Sequence, residues 1–168
     1  MWRWMEVVSM GLIAMAAWTA GATSGFAQPM NAHQGAQAAA PFALALRPPP
    51  AGGTAPVIAV LALNEGTETT DFLVPHDVLQ LARVGVVEAV APRAGAVTLM
   101  PALQVEVPRS FAAFDSVYPQ GADIVVVPAL HTEDDPAVLA WLRAQAAKGA
   151  VVVGICSGAR VLGRAGLL

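Results

Sequence analysis

Cysteine is almost absent: Cys156 is the only one in 168 residues. A single thiol excludes an internal disulfide. It also excludes a zinc centre built on paired Cys-x-x-Cys ligands, and three scattered histidines, His33, His76 and His131, do not make a metal site with it. Charge is scarce as well, at 12% of residues with a formal net of -3. No segment concentrates lysine or arginine, which argues against nucleic acid as a partner. Internal repeats are missing. The apolar stretch near the start, Val7 to Trp18, falls short of the roughly 20 residues that span a bilayer.

What is present is apolar. Hydrophobic residues make up 56% of the chain, and alanine and valine supply much of that share. The length suits one domain with extensions. Met1 to Ala27 has the pattern of a secretory signal: Arg3 in a positive n-region, the apolar core Val7 to Trp18, and the small residues Gly25 and Ala27 before a cleavage site at Gln28. An uncleaved signal would leave the membrane as an anchor; cleavage is the expectation, and with it an exported, periplasmic or secreted protein. Arg3 and Glu6 would leave together, so the formal charge would not change. Residues 28–55 read as a linker containing Ala38-Ala39-Ala40, Pro48-Pro49-Pro50 and Gly52-Gly53; the prolines favour an extended spacer. Phe42 to Leu46 is a small apolar island within it.

Residues 56–168 carry the alternation of a folded α/β domain. Val57 to Leu63 is nearly continuous in apolar residues, as a parallel strand covered on both faces requires. After the polar stretch Asn64 to Thr70, Asp71 to Arg83 reads as a helix with Leu73, Val78, Leu79 and Ala82 towards the sheet, Pro75 in its first turn and Gly85 at its end. Val86 to Ala91, Val97 to Met100, Leu103 to Val107 and Asp123 to Val127 read as strands, and Phe111 to Tyr118 as a short helix or loop. Asp135 and Pro136 start a helix that runs to Lys148 and stops at Gly149, with Val138 and Leu142 facing the sheet. Strands alternating with crossover helices predict a parallel sheet sandwiched by helices. Sites in such sheets form beyond the C-terminal ends of strands. Three loops qualify: Asn64 to Asp71, Ala129 to Asp135, and the turn at Cys156.

The turn at Cys156 carries the strongest chemical signal. Val151-Val152-Val153-Gly154 reads as a strand, and Ser157 to Arg164 as a helix. A sharp strand-to-helix turn needs small neighbours, which Gly154, Ser157 and Gly158 supply. It presents its apex side chain beside the unpaired N–H groups of the new helix, which favour a thiolate. The plain alternative is a small, buried, inert cysteine. Among the loops, Glu65, Glu68 and Asp71 could hydrogen-bond the thiol or move protons, or could simply be solvated acids. The N–H groups of Pro128-Ala129-Leu130-His131 could point at an oxyanion; His131 could act as a base or binding group, or be an exposed loop histidine.

Asp123-Ile124-Val125-Val126-Val127-Pro128, then Asp135-Pro136 and a helix, then Val152-Val153-Gly154-Ile155-Cys156-Ser157-Gly158-Ala159, resemble the ThiJ/PfpI family. Asp71-Phe72-Leu73-Val74-Pro75-His76-Asp77-Val78-Leu79 is similar to that family's first-helix motif. The likeness runs from Val57 to Leu168. It implies a flavodoxin-like domain of the class I glutamine-amidotransferase-like group, with Cys156 as the reactive thiol and Asp71 as the acid that touches it. The N–H groups of Ser157, Ala129 and Leu130 would form the oxyanion pocket. It implies a small-molecule substrate or ligand, in many members a homodimer, and no tightly bound organic cofactor. Glu65 and Glu68 match nothing in the motif.

Two departures go with the resemblance. Ala129-Leu130 replaces the family's usual Gly-Gly pair, and Leu130 is expected to narrow or reshape the pocket. Leu168 follows Cys156 by only 168 − 156 = 12 residues, whereas the family continues with further strands, closing helices and a second histidine; a partial domain is the expectation. Three functions follow as expectations. One is an exported cysteine-dependent hydrolase, hydratase or glyoxalase-like enzyme acting on a small electrophile. The second is a non-catalytic ligand-binding or sensing module. The third is an inactive fragment.

Overall fold

The computed structural model describes residues 55–168. The expected signal segment and all of the linker except Ala55 lie outside the described residues, as do His33 and the island Phe42 to Leu46. Among the described residues, eight strands and four helices follow in chain order. They are β1 Val57–Leu61, β2 Thr67–Glu68, α1 Thr69–Ala82, β3 Val86–Ala91, β4 Gly95–Met100, β5 Leu103–Val107, β6 Arg109–Ser110, α2 Phe111–Val117, β7 Ile124–Val127, α3 Pro136–Ala147, β8 Val151–Gly154 and α4 Gly158–Ala165. Five strands form one parallel sheet in the order β6-β3-β1-β7-β8. β2, β4 and β5 form a second, smaller sheet. The expected α/β, flavodoxin-like parallel sheet between helices is what the chain adopts. Among the described residues no helix is long and apolar enough to cross a membrane.

The apolar run of β1 is explained by its two faces. Side chains alternate across a strand. Ile58, Val60 and Ala62 join Phe72 of α1 and Val97, Leu99 and Val107 of the β4–β5 hairpin. Ala59, Leu61 and Leu63 join Phe111 and Phe114 of α2, Val138, Trp141 and Leu142 of α3, and Val161 and Leu162 of α4. Each face is covered, so each β1 side chain is worth burying. Val138 and Leu142 are fully enclosed, as their spacing predicts. Gln145 on the next turn is enclosed too; it accepts from the Ala122 N–H at 2.9 Å and donates to Asp115 at 2.7 Å, which offsets the cost of burying an amide. Asp135 caps α3 by accepting from the Val138 N–H at 3.0 Å.

Helix α1 differs from the sequence reading in start, face and end. It begins at Thr69, so Pro75 lies in its interior rather than its first turn. Its buried residue is Phe72, with Leu73 and Leu79 packed alongside, whereas Val78 is 56% exposed and Ala82 is exposed. Phe72, the largest apolar side chain of the helix, takes the sheet. Val74, Val78 and Leu81 form an exposed stripe opposite. The helix ends at Arg83 in the left-handed conformation, with φ 52°. Gly85 is needed for another reason: a Cβ there would lie 2.3 Å from the Pro56 carbonyl oxygen.

Glu68 is the cap that sets this earlier start. Its carboxylate accepts from the Asp71 N–H at 2.7 Å and from the Thr70 hydroxyl at 2.8 Å. The Asp71 N–H, followed by the Thr70 hydroxyl, holds the Glu68 carboxyl below its ordinary value. A depressed folded-state value contributes stability above the unfolded carboxyl's titration range. That stability is lost as pH falls through the folded-state value. Glu68→Ala should therefore cost about 1 kcal/mol at neutral pH, typical of a lost N-cap. The gap from the unmodified protein should narrow as pH is lowered below the ordinary carboxyl range, as chemical denaturation at a descending series of pH values would show.

Candidate functional site

Cys156 sits at the apex of the bend between β8 and α4 with φ 53°, in the left-handed region that a side chain with a Cβ disfavours. The bend is tight enough to exclude side chains on both flanks. A Cβ on Gly154 would lie 2.7 Å from the Ala159 nitrogen, and one on Gly158 would lie 2.0 Å from the Val127 carbonyl oxygen. The Ile155 N–H donates to that same Val127 oxygen at 2.9 Å, so the turn is pinned to the end of β7. The thiol is exposed, not enclosed as an inert core cysteine would be. Among the described residues the Cys156 and Ser157 N–H groups have no protein acceptor. They are donors at the helix start with nothing yet to bind.

Of the three loops expected to form a site, those after β1 and β7 are joined to each other by backbone bonds. The Glu68 N–H donates to the Ala129 oxygen at 2.8 Å, and the His131 N–H donates to the Gly66 oxygen at 2.9 Å. Thr67 and Leu130 face each other as an antiparallel bridge. Asn64 to Thr70, expected as a polar loop, is firmly built: Thr67 is fully buried and its hydroxyl accepts from the Leu63 N–H at 2.8 Å. The Asn64 amide donates to the Arg93 and Ala96 oxygens at 3.0 and 3.1 Å.

Asp71 accepts from the Ala129 N–H at 3.2 Å through one carboxylate oxygen. Its other oxygen accepts no hydrogen bond among the described residues. The Ala129 N–H, expected to face an oxyanion, is thus spent on Asp71. Leu130 is 5% exposed and belongs to the core with Leu61 and Leu63, so its side chain fills the interior. Its N–H takes no part in the bridge to Thr67. His131 is exposed, with its Cβ pressed on Gly66, where an added Cβ would lie 2.7 Å away. Glu65 pairs with Arg93, whose hydrogen bond lowers the Glu65 carboxyl's pKa. Glu65 and Glu68 are therefore employed elsewhere. Among the described residues no cluster of His, Cys, Asp and Glu could hold a metal ion.

One pair escaped the sequence reading. Arg160, in the first turn of α4, forms an ion pair with Glu133 of the loop after β7, at 3.2 Å. The two lie 27 residues apart, and nothing in the local pattern joins them.

The model of the DJ-1/PfpI family matches residues 57–168, which holds every element described above. The chain belongs to the DJ-1/PfpI family. Solved structures agree. A cysteine-to-alanine mutant of a DJ-1 superfamily protein from Salmonella typhimurium is 28% identical with a TM-score of 0.57; the match covers 67% of this chain and 62% of that one. DJ-1beta from Drosophila melanogaster is 24% identical with a TM-score of 0.58, covering 68% of this chain and 62% of that one. A ThiJ/PfpI domain protein from Brachyspira murdochii is 16% identical with a TM-score of 0.58, covering 69% and 67%. The last two likenesses speak to the fold alone. No curated protein matches the chain. The DJ-1/PfpI fold here spans about three fifths of the length of the Salmonella and Drosophila proteins.

Proposed function

We propose that this DJ-1/PfpI protein is an exported cysteine-dependent enzyme that adds water to a small electrophilic substrate. The observation that carries it is the exposed Cys156 at φ 53°, beside N–H groups that have no acceptor. The signal pattern in residues 1–27 supports export. In the proposed reaction the Cys156 thiolate forms a C–S bond to a carbonyl or isonitrile carbon. With a 2-oxoaldehyde, the aldehyde C=O electron pair moves onto oxygen, where the Ser157 N–H would hold the charge. A proton then passes from the attacked carbon to the neighbouring carbonyl carbon, leaving a 2-hydroxy thioester, and water displaces the thiol to give a 2-hydroxy acid. With an isonitrile, a proton goes to the attacked carbon. Water attacks the resulting thioimidate, and the thiol leaves from an N-substituted formamide.

Asp71 is the proton carrier in this scheme. One oxygen is anchored on Ala129, and the other is left to exchange a proton with substrate or thiol. General acid–base groups contribute about 10²- to 10⁴-fold. Asp71→Asn keeps the shape and removes that role. Turnover of small aldehydes or isonitriles by Asp71→Asn should fall about 10²-fold or more, while covalent labelling of Cys156 persists. Equal turnover in the two proteins would take Asp71 out of the chemistry. Parallel assays with Cys156→Ser test the whole proposal.

A further inference from the structure

Arg160 and Glu133 have no part in the chemistry above, yet they tie the loop after β7 to the first turn of α4, four residues beyond Cys156. The pair is lopsided. The Glu133 side chain is 20% exposed and the Arg160 side chain 70% exposed, so the carboxylate is packed and the cation is the open partner. Glu133 meets the guanidinium at Nε. Among the described residues the Nη groups donate no hydrogen bond, so the planar fork stays available for a carboxylate. Asp71 stands in the first turn of α1, and Glu133, Asp134 and Asp135 on the loop after β7. An anionic substrate would meet repulsion from them unless a cation offset it.

The geometry points to Arg160 as an anion-recognition residue, and to small electrophiles that carry a carboxylate as the substrate class. Glu133 holds the guanidinium in place and competes with such a substrate for it. This rests on the reading of Cys156 as a reactive, exposed thiol.

Two alkylating reagents separate the two ideas. Iodoacetate and iodoacetamide differ in charge and hardly in size. Each is attacked by thiolate at the same carbon: the C–S bond forms, the C–I bond breaks, and iodide leaves with the electron pair. Cys156 is the only cysteine, so the mass of the intact protein reports its labelling alone. The full chain is compared with Arg160→Gln and Glu133→Gln by the ratio of iodoacetate to iodoacetamide rates. By Coulomb's law in water, two unit charges about 7 Å apart change a rate about threefold. The ratio should fall about threefold in Arg160→Gln and rise by about the same factor in Glu133→Gln. Both changes should shrink in about 1 M salt, where charges are screened beyond about 3 Å. Unchanged ratios in both variants, with Cys156 still labelled, would overturn anion recognition and leave the thiol chemistry standing. Failure of both reagents to label the folded protein would overturn both ideas.

Discussion

Cys156→Ser should abolish turnover, with a loss of at least about 10³-fold. Serine is close to cysteine in size and position 156 is exposed, so the bend between β8 and α4 should survive the change. Its hydroxyl gives up a proton far less readily at neutral pH, and the structure offers a hydroxyl at the bend no adjacent histidine base: His131, the histidine of the neighbouring loop, makes no side-chain hydrogen bond among the described residues. Cys156→Gly should remove turnover as completely while slightly raising stability. Relief of the left-handed strain is worth about 1–2 kcal/mol, against about 0.5–1 kcal/mol for the added chain entropy of glycine. A protein stabilised by removing its sole thiol would show that the bend is held for reactivity at the expense of stability. Normal turnover in Cys156→Ser would end the enzymatic reading.

Gly158→Ala carries the second large effect. The added Cβ would sit 2.0 Å from the Val127 oxygen and 2.9 Å from the Pro128 oxygen. Both are backbone atoms, and Val127 belongs to β7, paired on either side by β1 and β8. Neither atom can swing away as a flexible side chain could. Helix α4 must instead retreat by more than about 1 Å, opening its contact with the sheet and losing packing around Val161 and Leu162. We expect a cost of about 3 kcal/mol or more, seen as a fall of roughly 10–20 °C in the thermal midpoint. Gly163→Ala, on the same helix, is the internal control. Its Cβ would meet nothing nearer than Leu168 Cδ1 at 3.8 Å, and helix propensity then favours alanine by up to about 1 kcal/mol. Opposite signs five residues apart would confirm that close approach at Gly158, rather than glycine content, shapes the turn. A small or stabilising effect at Gly158 would contradict the described contact between α4 and β7.

The features legible in the sequence were those with local causes. Apolar runs in β1, β3 and β7 follow from a sheet covered on both faces. Asp135, Pro136 and Gly149 mark the ends of α3, and Gly154 and Gly158 mark the bend at Cys156. The DJ-1/PfpI resemblance rested on these same segments, and the family match covers them. What stayed hidden depends on distant partners. Phe72 rather than Val78 is the buried residue of α1, because it shares a core with Val97, Leu99 and Val107 of the later β4–β5 hairpin. The polar stretch around Thr67 became a strand because β4, some thirty residues later, pairs with it. Ala129 yielded its N–H to Asp71 across 58 residues of chain, and Arg160 found Glu133. No window of local pattern contains such pairings.

The central claim is that folding makes this thiol more reactive, and one comparison tests it directly. Iodoacetamide labelling of Cys156 is timed by intact mass in the native protein and in the same protein unfolded in guanidinium at the same pH. Labelling should be several-fold faster in the native state. Slower labelling in the native state than in the unfolded chain would contradict it.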